Sequence, residues 1–361
     1  MKKETAVYKR TIFPNGLKVI TEAIPHVRSI TLGLWIDCGS RDEEEASSGL
    51  SHFIEHMVFK GTKNRTASEI ASYIESVGGV INAFTSREET CFYAKFLDEH
   101  LPLSVELIFD LINNPLFDPA EIEKEKHVVL EEIKDVDDNP SDLVHEMFAK
   151  ILFNKHPLGR SILGTRRSVR NLTRTKILSH RERYYRPEKM LVAASGNLKH
   201  DQVVELVGRY INPWSFEPSS SGREKPLFKP IRKIYDRKIS QTHVCLGVPA
   251  KEFNHPSRTP LMLLNLLLGG GMSSRLFQQL RERRASDHGF PGNHNRRHAT
   301  HARTTRRPAH KSRDRGSSRQ PLRQSWRAVP DCDSRCKSPF AQYAHAAYRV
   351  PKLLYSSSIQ T

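Results

Sequence analysis

Residues 49–62 read GLSHFIEHMVFKGT, and the spacing inside this stretch decides how the rest of the chain is read. Leu50, Phe53, Ile54, Met57 and Val58 recur at helical intervals and predict an apolar stripe. His52 and His56 fall four apart, so they share a helix face, with Glu55 beside them. Two imidazoles one turn apart can address a single metal ion. Catalytic zinc takes three protein ligands, leaves its fourth position to water, and lowers the pKa of that water towards about 7. A carboxylate in reach can take the proton and later hand it to a leaving amine; Glu55 suits that role. Alone, the pattern His-x-x-Glu-His describes a solvated helix face equally well.

Before this stretch, Tyr8 to Ile20 reads as a hairpin turning at Pro14-Asn15-Gly16. Ser29 to Asp37 (SITLGLWID) reads as a buried strand, and Gly39 to Asp42 with the acidic run after it as a loop. After it, a helix is predicted from Thr66 to the stop at Gly78-Gly79, then strands Val80–Ser86 and Thr90–Phe96. Helices follow over 101–112, 119–136, 141–153, 173–185 and 202–210, with a short buried strand at 190–195. The long helix over 119–136 carries Glu125 and Glu132, seven apart and so on one face. One could complete a metal site while the other supports a ligand, although any single helix carboxylate is more often simply solvated.

The segment 213–230 is rich in Pro, Ser, Gly and Lys and reads as a linker. Beyond it, Gln241 to Pro249 is predicted as a strand and Ser257 to Leu268 as a helix, leading through Gly269-Gly270-Gly271 to another helix start. Strand, connection and helix recur in the order seen around residues 29–59, which suggests a second domain built like the first.

Three segments in combination, GLSHFIEHMVFKGT, GGVINAFTSREETCFYAKF and EKEKHVVLEEI, resemble the pitrilysin/insulinase (M16) family of zinc metallopeptidases. Single-repeat bacterial relatives of mitochondrial processing peptidase are the best match, over about residues 5–284. The resemblance implies an α+β fold of two similar domains, each an antiparallel sheet with helices packed on one side. It implies Zn2+ held by His52, His56 and Glu132, Glu55 as general base and Glu125 as a second carboxylate of the active site. It implies a substrate-binding edge strand at Asn82, Ala83, Phe84 and Thr85, where an extended peptide adds as a strand. In the second domain it implies that Arg281, with a Tyr seven residues later, contacts substrate; position 288 is His. The implied activity is endoproteolysis of peptides or unfolded segments. The alternative is a non-catalytic subunit or an inactive truncated homologue of a processing peptidase.

From Ala285 the resemblance stops. Residues 284–361 hold 13 Arg and 3 Lys against 4 Asp and no Glu, so +12 of the net +17 lies there. Such Arg/His/Ser/Pro-rich composition cannot bury a core. Because it begins in mid-helix with no linker, it is read as a shifted reading frame, which would leave the second domain truncated; a genuine basic tail is the rival. The expected organisation is a catalytic domain at 1–212, a linker at 213–230, a partial second domain at 231–284 and a disordered or frameshifted tail at 285–361. Five scattered cysteines argue against a disulfide framework. No secretory h-region or apolar run of membrane length occurs, so the cytoplasm is expected, with a peptide or unfolded polypeptide as partner and neither membrane nor nucleic acid. A homodimer is compatible with this reading.

Overall fold

The computed structural model describes residues 8–211, 222–239 and 241–283, with the backbone of Ile359 and Gln360. Its centre is β3 (Ser29–Ile36), where Ile30, Leu32, Leu34 and Ile36 all point to one face and are at most 1% exposed. This is the period of two that a strand buried on one face requires. Antiparallel to it runs β5 (Thr90–Leu97), in a register that sets Phe92 opposite Leu34 and Phe96 opposite Ile30. Beyond β5 lies β4 (Val80–Thr85), which forms one edge of the sheet. The other edge is the predicted hairpin, β1 (Lys9–Ile12) and β2 (Lys18–Ala23).

One strand departs from the expected antiparallel pattern. β6 (Met190–Gly196) inserts between β2 and β3, antiparallel to β3 but parallel to β2, giving the order β1-β2-β6-β3-β5-β4. The sheet is therefore mixed. The physical reason is the long helical excursion between β5 and β6, which returns the chain to a slot flanked by strands of opposite direction. The small residues Ala193 and Ala194 and the apolar Met190 and Val192 suit that central, two-sided position.

Between β3 and β4 come α1 (Leu50–Val58) and α2 (Ala67–Ser76); the latter opens on a reciprocal cap between Thr66 and Glu69. After β5 follow α3 (Leu101–Asn113), packed on β3 and β5, then α4 (Pro119–Asp138) and α5 (Pro140–Phe153). A short α6 (Arg166–Arg170), which the hydrophobic pattern does not announce, precedes α7 (Arg174–Tyr184), and α8 (His200–Arg209) follows β6 and lies on β2. One hydrophobic core joins the sheet to α1, α3, α4, α7 and α8.

Residues 222–283 are built differently. The predicted strand 241–249 survives only as Gln241–Thr242, paired with Ile359–Gln360. Strand residues need neighbours for their backbone groups, and Leu246 and Val248 here are 76% and 70% exposed. The helix α9 (Arg258–Gly269) forms as predicted, yet Leu263 and Leu267 remain 57% and 61% exposed. The chain is nonetheless tied back to the first sheet by Arg223, whose guanidinium reaches Asp37 at 2.8 Å and takes Asp42 bidentately at 2.9 and 2.8 Å. The reading of the tail falls outside the described residues, as does the first half of the linker, 213–221.

Under α1 lies His180 of α7, buried, with Nε2 3.3 Å from Ser51 Oγ and 3.5 Å from Cys38 Sγ. Burial holds its pKa at about 4, well below the ordinary histidine value. The unfolded chain then binds the proton between about pH 6.5 and 4 and the folded chain does not, so this stability is present above pH 6.5 and lost on acidification. Integrated over that window it amounts to about 3 kcal/mol. His180→Gln is expected to remove that increment from the pH dependence of urea unfolding. Parallel pH profiles for the wild type and the variant would refute it.

Candidate metal centre

α1 buries Leu50, Phe53, Ile54, Met57 and Val58 in the core, which turns His52, Glu55 and His56 towards α4. α4 begins at Asp118, whose carboxylate accepts from the amides of Ala120 and Glu121, with Pro119 at the first helical position. Twenty residues long, it carries Glu125 and Glu132 along the face that meets α1. His52, His56 and Glu132 each offer one ligand atom, and all three lie within 4.8 Å of one another. Glu132 Oε2 is 3.8 Å from His52 Nε2, and Glu132 Oε1 is 3.8 Å from His56 Nε2.

These distances are too long for hydrogen bonds. Three donors thus converge without bonding to each other, and the buried Glu132 Oε2 has no hydrogen-bond partner. Tetrahedral zinc with bonds of about 2.0–2.2 Å holds its ligand atoms about 3.4 Å apart; the two Glu132–histidine separations of 3.8 Å lie within a few tenths of an ångström of that. Two imidazoles and one carboxylate are also the donor types zinc takes in catalytic sites. The residues present fit that ion.

The surrounding charges agree. Burial, then the neighbouring His56, hold His52 at a pKa of about 4, so its ring is neutral and able to ligate at pH 7. His56 Nδ1 lies 2.8 Å from Glu125 Oε1; this carboxylate fixes the ring with Nε2 towards Glu132. Glu125 is itself buried. Desolvation works against its charge, but the Lys60 ammonium at 2.6 Å and His56 outweigh it, and its pKa lies below the ordinary carboxylate value. Glu55 differs: burial raises its pKa, against the hydrogen bond that Thr85 Oγ1 donates to its Oε2 at 2.6 Å. One carboxylate is held ionised and the other is poised to take a proton.

Asn82, Ala83 and Phe84 lie on β4, whose outer side is a sheet edge. The Asn82 side-chain oxygen accepts from the Ala83 amide at 2.8 Å, and Phe84 packs edge-on against Trp35 with ring centres 5.5 Å apart. Thr85, the last residue of β4, joins this edge to Glu55. Arg281 lies apart: its guanidinium sits 5.0 Å from the centre of the Phe277 ring, and among the described residues no hydrogen bond or ion pair joins it to the His52–His56–Glu132 set. Sequence reasoning placed Thr85 on the substrate edge but not against Glu55, and passed over Lys60. Lys60 follows His56 by four residues, a usable signal; the Thr85–Glu55 contact spans two elements and left none.

With this geometry in view, comparison with known proteins is unambiguous about class. Residues 18–166 match the family model for insulinase (peptidase family M16), and residues 171–302 match that for the peptidase M16 inactive domain. The chain belongs to the M16 peptidase family. An uncharacterized zinc protease of Mycobacterium leprae is 44% identical over 282 residues, covering 76% of this chain and 63% of the relative. The uncharacterized zinc protease YmxG of Bacillus subtilis is 39% identical, with 76% and 67% covered. The chain thus spans about two thirds of the length of these relatives. A protease from Helicobacter pylori superposes with a TM-score of 0.69 at 27% identity, over 77% of this chain and 68% of that one. The M16 inactive domain from Pseudomonas fluorescens shares the fold, with a TM-score of 0.64 at 19% identity over 76% of this chain and 68% of that one.

Proposed function

We propose that this chain is the catalytic portion of a zinc metalloendopeptidase that hydrolyses peptides or unfolded protein segments. The observation carrying this is the convergence of His52, His56 and Glu132 with one carboxylate oxygen left buried and unpartnered. In this reading these three residues hold the zinc ion, which supplies Lewis-acid polarisation and acidifies water at neutral pH. Glu55 takes the proton of the attacking water and passes it to the leaving amine; its raised pKa suits both transfers. Thr85 occupies one Glu55 oxygen and leaves the other for that transfer. The free edge of β4 receives the substrate backbone as an added strand, with Asn82, Ala83 and Phe84 facing it. Backbone pairing reads little of the side chains, which accords with broad specificity.

The test is metal content followed by one substitution. The purified chain is expected to bind one equivalent of zinc. Glu55→Gln should leave zinc bound while abolishing any cleavage of an unstructured peptide. A wild-type chain that binds no zinc would end this reading. A second reading, a chain inactive by itself, is favoured by the exposure of Leu246, Leu263 and Leu267. It supposes that 231–284 is a partial second domain after the linker at 213–230, and that the substrate contact implied for Arg281 needs the rest of that domain.

A further inference from the structure

Glu43 stands in the loop between β3 and α1 and is not among the converging ligands. It is nevertheless buried, 5% exposed, and among the described residues no lysine or arginine side chain forms an ion pair with it. Both of its oxygens go to the start of α1: Oε2 accepts from the Gly49 amide at 2.7 Å and Oε1 from the Ser51 amide at 2.6 Å. Amides at the start of a helix have no intrahelical acceptor, and the helix dipole favours negative charge there. Burial pushes the Glu43 pKa up to about 7, and the two amide bonds oppose that rise; when the carboxylate is ionised, such charge-assisted bonds are the strong kind. The clamp is itself anchored, because Arg160 donates to the Glu43 backbone carbonyl oxygen. Gly49 completes it: its φ is +95°, and a Cβ there would come within 2.5 Å of the Leu163 carbonyl oxygen. On the other side of that glycine, the Ser48 carbonyl accepts from Ser168 Oγ at 2.7 Å.

The two histidines are held unequally. His56 lies in the last turn of α1 and has Glu125 on its Nδ1. His52 lies in the first turn, directly after the clamped Ser51 amide, and its Nδ1 is buried without a hydrogen-bond partner. Apart from its contact with the His56 ring, centres 4.4 Å apart, its ring takes its direction from the backbone. We infer that Glu43 is a positioning residue of the metal centre, fixing the first turn of α1 so that the His52 ring meets Glu132 of α4. This rests on the zinc reading given above and deepens it. A carboxylate placed only for stability would hold the fold and leave metal affinity alone. A carboxylate that aims His52 sets both.

The experiment uses the full chain and zinc alone, titrated in competition with a chromophoric chelator. Glu43→Gln keeps the side-chain volume but turns one acceptor into an NH2 group facing an amide donor. Its zinc affinity is expected to fall about 10-fold, the lower end for groups that orient ligands from outside the coordination sphere. Glu43→Asp, which keeps the charge, is expected to fall between the two and carries the test should the Gln variant not fold. Leu206→Ala, a buried residue of α8, gives the control: a lower Tm with wild-type zinc affinity. Wild-type affinity in a folded Glu43 variant, beside one-to-one binding by the parent chain, overturns this inference alone. No zinc binding by the parent chain overturns it together with the function proposed above.

Discussion

Glu132→Gln is expected to weaken zinc binding by at least about 100-fold, the low end of the share of one ligand when a three- or four-ligand site is worth about 10–16 kcal/mol in all. The substitution is mild in every other respect. Glu132 is 38% exposed at its side chain, Gln is about as good a helix former, and α4 keeps Ile122, Val129 and Ile133 in the core. What changes is the charge and basicity of the one oxygen donor facing both rings. Glu125→Gln makes the informative contrast. It loses the ion pair with Lys60, but an amide oxygen can still accept from His56 Nδ1, so the expected loss is about 10-fold. Binding also reads out as stability, because a ligand that binds only the folded state raises Tm. Saturating zinc should therefore raise the Tm of the wild type, raise that of Glu125→Gln less, and leave Glu132→Gln nearly unchanged. The ordering is what matters. Equal losses in the two variants, or none in Glu132→Gln, would remove Glu132 from the ligand set and with it the case for a hydrolase.

Most of the first sheet and all its larger helices were legible because their signals are local. The alternation of Ile30, Leu32, Leu34 and Ile36 and the helical stripe of α1 each lie within one element. So does the seven-residue spacing of Glu125 and Glu132, although nothing in it says which of the two faces the histidines. The structure separates them: Glu125 bonds His56 Nδ1, and Glu132 faces both Nε2 atoms. What stayed hidden is what joins distant elements. The parallel pairing of β6 with β2 depends on where the chain re-enters the sheet, which no window of sequence encodes. The Glu43 clamp read as part of an acidic loop because a carboxylate bonded to amides looks, in sequence, like one bonded to water. The strand over 241–249 failed for the opposite reason. Its local pattern is sound, but a pattern supplies no neighbouring strand.

That last failure bears on activity, and it leads to the largest expected effect. α9 presents Leu263 and Leu267 at 57% and 61% exposure, with Leu246 at 76% in the segment before it, an apolar surface of the kind that domains normally bury. Replacing everything after Arg283 with the corresponding segment of the Bacillus subtilis relative tests whether a continued second domain gives 241–249 its neighbouring strands and covers α9. The chimera is expected to cleave an unstructured peptide at least about 100-fold faster than the present chain, since poorly positioned substrate alone costs that much. Zinc affinity should barely change between the two, because His52, His56 and Glu132 all lie on α1 and α4. The contrast would separate the two roles that the proposed reading gives the architecture: a metal site made by the first sheet and its helices, and a second domain that presents the peptide to it. Glu55→Gln in the chimera should abolish cleavage and so exclude a contaminating protease. If the present chain already cleaves as fast as the chimera, the second domain is dispensable for turnover, and the peptide must be held by the edge of β4 without help from Arg281 or its surroundings.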